Sequence, residues 1–456
     1  MGCLLNSAIQ AHEHTMSEAI LSREQLEAYW LPYTPNKLFK DQPRLFSAAK
    51  GAYYQTTDGR QLFDGLSGLW CCGLGHGRTE IIEAITAQAR RLDFAPSFQI
   101  GNPLAFELAD RLKSLTPEDL NYVFFTNSGS DAADTSLKMA RAYWRARGQP
   151  GKTRLIGRSK GYHGVNYGGM SVGGIDSNRA QFEPGLETDL LPHTLLAENA
   201  YSRGLPENGA ELADHLEVIV SLRDASNIAA VIVEPFSGSG GVIVPPKGYL
   251  QRLRDICTKH DILLIFDEVI TGLGRTGSAF AAETYGVVPD IMNLAKGLTN
   301  GVIPMGAVIA RDEIYDGLMS QDIPRHRIEF PHGYTYSAHP IACAAALATL
   351  DLYQSDDSFS KVRELAPYFE DAIHNLKGLN NVVDIRNVGL AGAIQFAPRD
   401  GDPTIRPFEI FAKCFEQDAF VRCGGDTIQL APPFISTREQ LDKLFETLAG
   451  AIRQTA

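Results

Sequence analysis

Two apolar runs in this chain of 456 residues end in charged groups that are costly to bury. Ile262-Leu-Leu-Ile-Phe266 leads into Asp267 and Glu268, and Asp290-Ile-Met-Asn-Leu-Ala295 delivers Lys296 followed by Gly297. A lysine at the end of a buried strand loses its hydration, which lowers its pKa toward the range where the amine is nucleophilic. Most lysines are solvated surface groups, and it is position that sets this one apart. In an open parallel sheet, ligands bind at the carboxyl ends of strands, so an acidic pair there is a site candidate. The same pair would equally serve as a helix cap or a solvated loop.

Two further segments add complementary chemistry. Phe124-Phe125-Thr126-Asn127-Ser128-Gly129-Ser130-Asp131 reads as strand, small polar residues, then helix. Such a junction offers unpaired backbone N–H groups and a helix dipole to an anion such as phosphate, although Ser and Asp are also ordinary helix caps. Gly161-Tyr-His-Gly164 places an aromatic between glycines after a strand ending near Arg158; taken singly, Tyr162 would be a packed core aromatic. Together these parts meet the needs of pyridoxal 5'-phosphate: a lysine for its Schiff base, an acid against the pyridine nitrogen, an aromatic over the ring and an anion nest. Lys296 follows Asp267 by 29 residues, enough for one crossover between adjacent strands.

The elements that must position these groups are an alternation of helical periodicity and short apolar runs from about 78 to 345. Helices are expected at 79–92, 103–115, 130–147, 248–260 and 339–353, with strands at 121–126, 153–157, 229–233, 262–267, 290–295 and 305–310. Strands apolar throughout indicate a mainly parallel sheet covered on both faces, an α/β core. Before it, Pro32, Pro35 and Pro43 suggest an extended arm, and residues 52–63 read as a hairpin turning at Asp58-Gly59, whose dipeptide favours positive φ. After it come helices at 359–376, 407–417 and 437–452 with apolar segments at 381–396 and 419–432, a smaller α+β lobe. The expected division is residues 1–75 as arm and part of the small domain, 76–350 as the large cofactor domain, and 351–456 as the rest of the small domain.

Composition excludes several functions. A net charge of −12 has the wrong sign for a surface that attracts nucleic acid, and no apolar run approaches the roughly 20 residues that span a bilayer. Met1-Gly2-Cys3 suggests lipidation, but Asn6 stands where that pattern wants Ser or Thr. No secretory signal is supported, and residues 1 to about 25 read as a polar leader with a helix starting near Ser22. Seven cysteines without a C-x-x-C pair fit neither a disulfide framework nor a zinc site and point to a reducing cytoplasm.

Three motifs are set aside on context. Gly272-Leu-Gly-Arg-Thr-Gly277 matches the dinucleotide fingerprint, but Asp267 to Thr271 separate it from the strand and no full helix follows. Gly151-Lys-Thr153 resembles the end of a phosphate loop, yet Ala146 stands where its first glycine belongs. His326, His332 and His339 are spaced too loosely for a metal site.

With these residues in view, Phe266-Asp-Glu-Val-Ile-Thr-Gly-Leu-Gly-Arg-Thr-Gly277, Leu294-Ala-Lys-Gly-Leu-Thr-Asn-Gly301, Asn127-Ser-Gly-Ser130 and Gly161-Tyr-His-Gly164 resemble the class III, pyridoxal-phosphate-dependent aminotransferases of fold type I, over nearly the whole chain from about residue 28. Segments 65–70, 330–340 and 421–429 look like the ω-amino acid:pyruvate (β-alanine:pyruvate) branch. Two departures are Asp131 in place of Glu and Ile270 in place of the Gln of 4-aminobutyrate and ornithine enzymes. The resemblance implies a large, mainly parallel sheet of the seven-stranded type and a small domain built from both chain ends. It implies Lys296 and Asp267 as catalytic, Gly129 and Ser130 at the phosphate, and Tyr162 and Val269 on the two ring faces. Thr335 would reach the phosphate of a neighbouring subunit, giving a homodimer or homotetramer with shared sites. Arg422 would bind the substrate carboxylate, Trp70 would wall the pocket, and Gln429 would make a polar contact there. Surface placement of Arg422, and core packing of Trp70 and Gln429, remain the plainer readings.

The implied reaction moves the amino group of an ω-amino acid or primary amine to pyruvate, giving alanine and an aldehyde or ketone in two half-reactions. A 4-aminobutyrate, diamine or arylalkylamine transaminase, an aminomutase, decarboxylase or racemase of the same class, and more remotely a nicotinamide oxidoreductase stay open. One methylene in an apolar pocket shifts selectivity by only about 1–3 kcal/mol, so the sequence does not choose the donor.

Overall fold

Strands with apolar residues on both sides need cover on both faces, and the arrangement that supplies it here is a seven-stranded sheet. The computed structural model describes residues 21–455 apart from Glu118 and Pro184. Its main sheet contains β4 (Leu120–Thr126), β5 (Arg154–Arg158), β6 (Thr188–Leu191), β7 (Ile228–Val233), β8 (Leu263–Asp267), β9 (Ile291–Leu294) and β10 (Gly306–Arg311), in the order β4-β10-β9-β8-β7-β5-β6. The five strands from β9 to β6 run parallel. β10 is reversed, antiparallel to both β9 and β4. The expected strands therefore form at nearly the expected bounds, while β6 and the direction of β10 had no counterpart in the apolar pattern.

Alternation along the strands decides which side each residue faces. Val231, Val233, Leu264, Phe266, Met292 and Leu294 enter one core, with the Tyr249–Lys259 and Pro340–Ser355 helices. Ala230, Ile232, Leu263, Ile265, Ile291 and Val308 enter the other, beneath the Gly129–Ala146 helix through its Ala132, Leu137, Ala140 and Trp144. Successive side chains in a strand point to opposite faces, so Asp267 and its register partner Asn293 continue the second face, at the helix N-terminus.

The chain ends build two further sheets. β1 (Phe46–Lys50), β2 (Tyr53–Thr56) and β3 (Gln61–Asp64) pair antiparallel, and β3 then takes β13 (Ala419–Phe420) in parallel, Ala419 opposite Phe63. Arg60 crosses to Asp418 at 2.9 Å. The other sheet runs β11 (Val382–Val388), β12 (Ala391–Phe396), β15 (Thr427–Leu430), β14 (Arg422–Gly424). The arm expected to be extended instead carries a short helix, Asn36–Asp41, between Pro35 and Pro43, followed by the strand β1. In the hairpin turn Gly59 alone of the pair has positive φ, +85°, because the loop is longer than a two-residue type I′ turn, with Thr56 N–H donating to Arg60 O at 3.0 Å.

Of the expected leader, residues 1–20 with Met1-Gly2-Cys3 lie outside the described residues. Its helix forms at Arg23–Ala28, closed by a reciprocal capping box between Ser22 and Gln25. The Gly272–Gly277 loop leads only to a five-residue helix at Ala281–Tyr285, and its glycines serve packing: a Cβ on Gly274, at φ +107°, would stand 2.8 Å from Phe359 and 2.9 Å from Phe434. Between them Arg275 is fully buried and donates to Leu390 O (3.0 Å), Pro432 O (2.8 Å) and Ser67 Oγ (3.1 Å), tying this loop to the C-terminal segment.

Close packing under the sheet edge gives a stability test. A Cβ on Gly157 of β5 would stand 1.8 Å from Val172 O at the end of the Tyr167–Val172 helix. Gly157→Ala is expected to lower unfolding free energy by at least about 1–3 kcal/mol, the usual cost of overpacking, read as a drop in the urea midpoint; an unchanged midpoint would show that the helix yields freely.

Candidate active site

Asp267 closes β8 and Lys296 follows β9, so the neighbouring parallel strands deliver a carboxylate and an amine to one end of the sheet. Asp267 is buried. Its Oδ2 lies 2.8 Å from Nδ1 of His163 and its Oδ1 accepts from Val269 N–H at 3.2 Å. A carboxylate can only accept, which places the proton on Nδ1 and leaves the buried Nε2 of His163 without a partner. Lys296 sits at φ +47°, outside regular strand geometry, where the chain turns into a short 3-10 helix. Burial lowers its pKa, opposed by Asp267, Cys71 and Glu234, and among the described residues it makes no salt bridge or hydrogen bond through its amine.

The anion nest and the helix cap prove to be one feature. Ser128 caps the Gly129–Ala146 helix, its Oγ accepting from Asp131 N–H at 3.1 Å. The N–H groups of Gly129 and Ser130 keep no acceptor among the described residues, as the first turn of a helix dictates. Gly129 lies against Val269: a Cβ there would come within 2.8 Å of Val269 Cγ1. Ser130 Oγ accepts from Val165 N–H at 3.1 Å, and Gly164, at φ +94°, presses on the same hydroxyl. The nest, the 161–165 loop and Val269 are thereby locked together.

Tyr162 is half-buried, with Tyr33, Arg422 and Asp267 around its phenol; burial, then Tyr33, raises its pKa. Its backbone N–H donates at 2.9 Å to Glu234, which follows β7 and also accepts from Gly238 N–H at 3.0 Å. Arg422, on β14 opposite Gln429 of β15, is half-buried with its Nε orphaned and its pKa lowered by burial; no described carboxylate pairs with it. Gln429 is fully buried, donating to Ser239 O at 3.2 Å with Oε1 unpartnered.

Asp267, Lys296, Gly129, Ser130, Val269, Tyr162 and Arg422 are thus linked through contacts or mutual electrostatic influence. Trp70, at 4% exposure, packs in an apolar cluster with Phe236 and Ile270, as a core residue would. Thr335 is exposed on the loop that His332 and Tyr334 fasten to Thr135, and it bonds to none of the others. His163, Glu234 and Tyr33 carry weight that the sequence reading did not give them. Glu234 ends Val231-Ile-Val-Glu and offered the same strand-end signal as Asp267; His163 lay inside a motif already singled out; Tyr33 offered none.

The family model for aminotransferase class-III matches residues 39–452. The chain belongs to the class-III aminotransferases. This class-III aminotransferase is 56% identical, over 96% of its length and 98% of theirs, to the beta-alanine–pyruvate aminotransferase of Pseudomonas aeruginosa and the omega-amino acid–pyruvate aminotransferase of Pseudomonas putida. It superposes with a TM-score of 0.87 and 36% identity on the PLP-bound crystal structure of an amine transaminase from an uncultivated Pseudomonas species, covering 94% of this chain and 99% of that one. Its architecture is that of fold type I. Among the described residues no helix is long and apolar enough to cross a membrane, no metal-ligating cluster occurs, and six cysteines are free.

Glu268, the second member of the acidic pair, turns away into structure: it accepts from Thr271 Oγ1 (2.5 Å) and from Ala281 and Ala282 N–H (2.9 and 2.8 Å), and burial raises its pKa to about 7. Between about pH 5 and 7 the unfolded carboxyl is ionised while the folded one still holds its proton. The folded state then binds more protons, and stability falls as pH rises, levelling above pH 7. The stability difference between wild type and Glu268→Gln should shrink by about 3 kcal/mol over that window, measured as urea midpoints at pH 5 and 7.5; parallel pH profiles would refute it.

Proposed function

We propose that this aminotransferase moves the amino group of an ω-amino acid or primary amine of β-alanine type to pyruvate, giving alanine and an aldehyde or ketone, with pyridoxal 5'-phosphate as cofactor. The observation that carries the reading is the pairing of an unpartnered buried amine, Lys296, with a half-buried guanidinium, Arg422, that has no acidic partner and is close enough for its charge to act on the amine. An enclosed arginine without a counter-ion suits a carboxylate-bearing substrate, which its planar fork can hold through two hydrogen bonds. The two 56% identical relatives, both named as transferring amino groups to pyruvate, support the same substrates here.

The residues fit the cofactor on their own chemistry: free N–H groups at Gly129 and Ser130 for phosphate, Val269 and Tyr162 for the ring faces, an ionisable carboxyl for the ring nitrogen and an amine for the aldehyde carbon. Bound there, pyridoxal phosphate supplies an electron sink for the pair left when the amine-bearing carbon loses its proton. Lys296 Nζ would be the base that takes that proton and gives it back. Asp267 would favour a proton on the ring nitrogen, since an adjacent carboxylate stabilises a cation. His163, donating through Nδ1, and Val269 N–H fix the carboxyl's orientation. Glu234 anchors the backbone of Tyr162 and so sets the stacking face.

Thr335, exposed on its loop, is assigned to the phosphate of a second subunit, so the working unit is at least a homodimer; light scattering that finds an active monomer would overturn this. Trp70 is retained as pocket wall and Gln429 as a nearby polar contact. The free cysteines favour a reducing, cytoplasmic setting.

Lys296→Ala should lose both turnover and the cofactor absorbance near about 400 nm that belongs to its lysine-linked form; a variant keeping both would remove Lys296 from the reaction. Arg422→Ala should raise KM for pyruvate by about tenfold or more, the loss of a charge-assisted contact, and leave the first half-reaction with a carboxylate-free arylalkylamine within a few-fold of wild type. An unchanged KM would end the assignment. A panel of β-alanine, 4-aminobutyrate, diamines and arylalkylamines with pyruvate fixed identifies the donor.

A further inference from the structure

Two thiols with no part in amino transfer stand against the turn that carries Lys296. Cys71 and Cys72 follow the short Ser67–Trp70 helix with their sulfurs 3.8 Å apart; Cys71 is half-buried and Cys72 buried. Gly301, whose N–H donates to Lys296 O at 3.1 Å, touches both: a Cβ there would stand 2.9 Å from Cys71 Sγ and 3.2 Å from Cys72 Sγ. On the other side a Cβ on Gly68, at φ +67°, would stand 3.4 Å from Cys71 Sγ and 3.1 Å from Cys72 Sγ. Asn300 clamps the two segments, its side chain bonding Leu74 N–H at 3.0 Å and Gly75 O at 2.8 Å. The pair is therefore wedged between Gly68 and the lysine turn.

Cys71 is the more accessible of the two thiols, and its hydrogen bond with Cys72 holds it below the ordinary thiol range while raising Cys72; burial and Asp64 oppose the lowering at Cys71, whose sulfur also lies 3.6 Å from Ser67 O. A thiolate that is partly accessible with a second thiol at hand is the arrangement of redox-responsive cysteines.

We propose that Cys71 and Cys72 are a reversible redox site through which a hydroperoxide switches the enzyme off. Cys71 thiolate attacks the peroxide, forming an S–O bond as the O–O bond breaks; the sulfur gives up two electrons, and the leaving hydroxide takes a proton to become water, or an alcohol from an organic hydroperoxide. Cys72 sulfur then attacks Cys71 Sγ, the S–S bond forms, the S–O bond breaks, and the departing hydroxide leaves as water with the Cys72 proton. The protein has lost two hydrogens. A dithiol reductant reverses the step by exchange and is itself oxidised. Closing the bond brings the sulfurs from 3.8 Å to about 2.05 Å, and adjacent Cα atoms only about 3.8 Å apart make a strained, easily reduced disulfide. Both sulfurs must shift relative to Gly301, and with them the turn that presents Lys296.

The test uses cofactor-loaded enzyme titrated with hydrogen peroxide. Mass spectrometry after thiol alkylation should find a 71–72 disulfide, and activity should fall by about tenfold or more, since displacing a catalytic group by ~1 Å can cost ~100-fold, with full recovery in dithiothreitol. Cys72→Ser should start near wild-type activity and lose the dithiothreitol-reversible component. Alkylation of both thiols after peroxide, a disulfide with unchanged activity, or the same reversible loss in Cys72→Ser would each overturn the proposal. The mapping on wild type decides even if the variant folds poorly, and it does not depend on which amine is the donor.

Discussion

The structure turns on keeping a buried amine near a buried carboxylate without letting the two simply neutralise each other. A close ion pair between Asp267 and Lys296 would satisfy both charges and leave an amine that is a poor nucleophile. Instead the carboxylate is engaged from the other side by His163 and the Val269 amide. The lysine is left to desolvation, which favours its neutral form. Two adjacent parallel strands provide the placement, because their ends coincide in space while their side chains alternate between cores that hold the register fixed.

Other strand ends repeat the same device for other purposes. Glu234 after β7 and Glu268 after β8 are both fully enclosed carboxyls, and burial holds each with a pKa of about 7. One receives the Tyr162 and Gly238 amides, the other the start of the Ala281–Tyr285 helix. These are acids used as hydrogen-bond struts, distinguishable from Asp267 by what faces them. Arg275 plays the complementary part, its guanidinium spanning three oxygens that belong to the N- and C-terminal segments.

Much of this was legible in the sequence because strands buried on both faces must be apolar throughout. The expected runs at 229–233 and 262–267 lie within a residue of the observed strands, and Lys296 and Asp267 stood out as exceptions at their ends. The short strand Thr188-Asp-Leu-Leu191 escaped because it is half polar and only partly buried. The reversal of β10 escaped because strand direction leaves no local mark. The His163–Asp267 bond joins residues 104 apart, and the approach of Tyr33 to Tyr162 depends on how the arm folds back; periodicity reports neither. For Trp70 and Gln429 the sequence left pocket and core both open, and their burial shows how little separates the two at a lobe boundary.

The parallel pairing of β3 with β13 has a consequence for how the molecule is made. Arg60 and Asp418, which brace that pairing, are 358 residues apart. At ribosomal rates of about 5–20 residues per second, the first sheet waits many seconds with an open edge before its last strand emerges. The large sheet, complete once β10 has been synthesised, can assemble first. Arg422 arrives only with the closing segment, so the residues proposed for the cofactor are in place before the one proposed to choose what reacts with it.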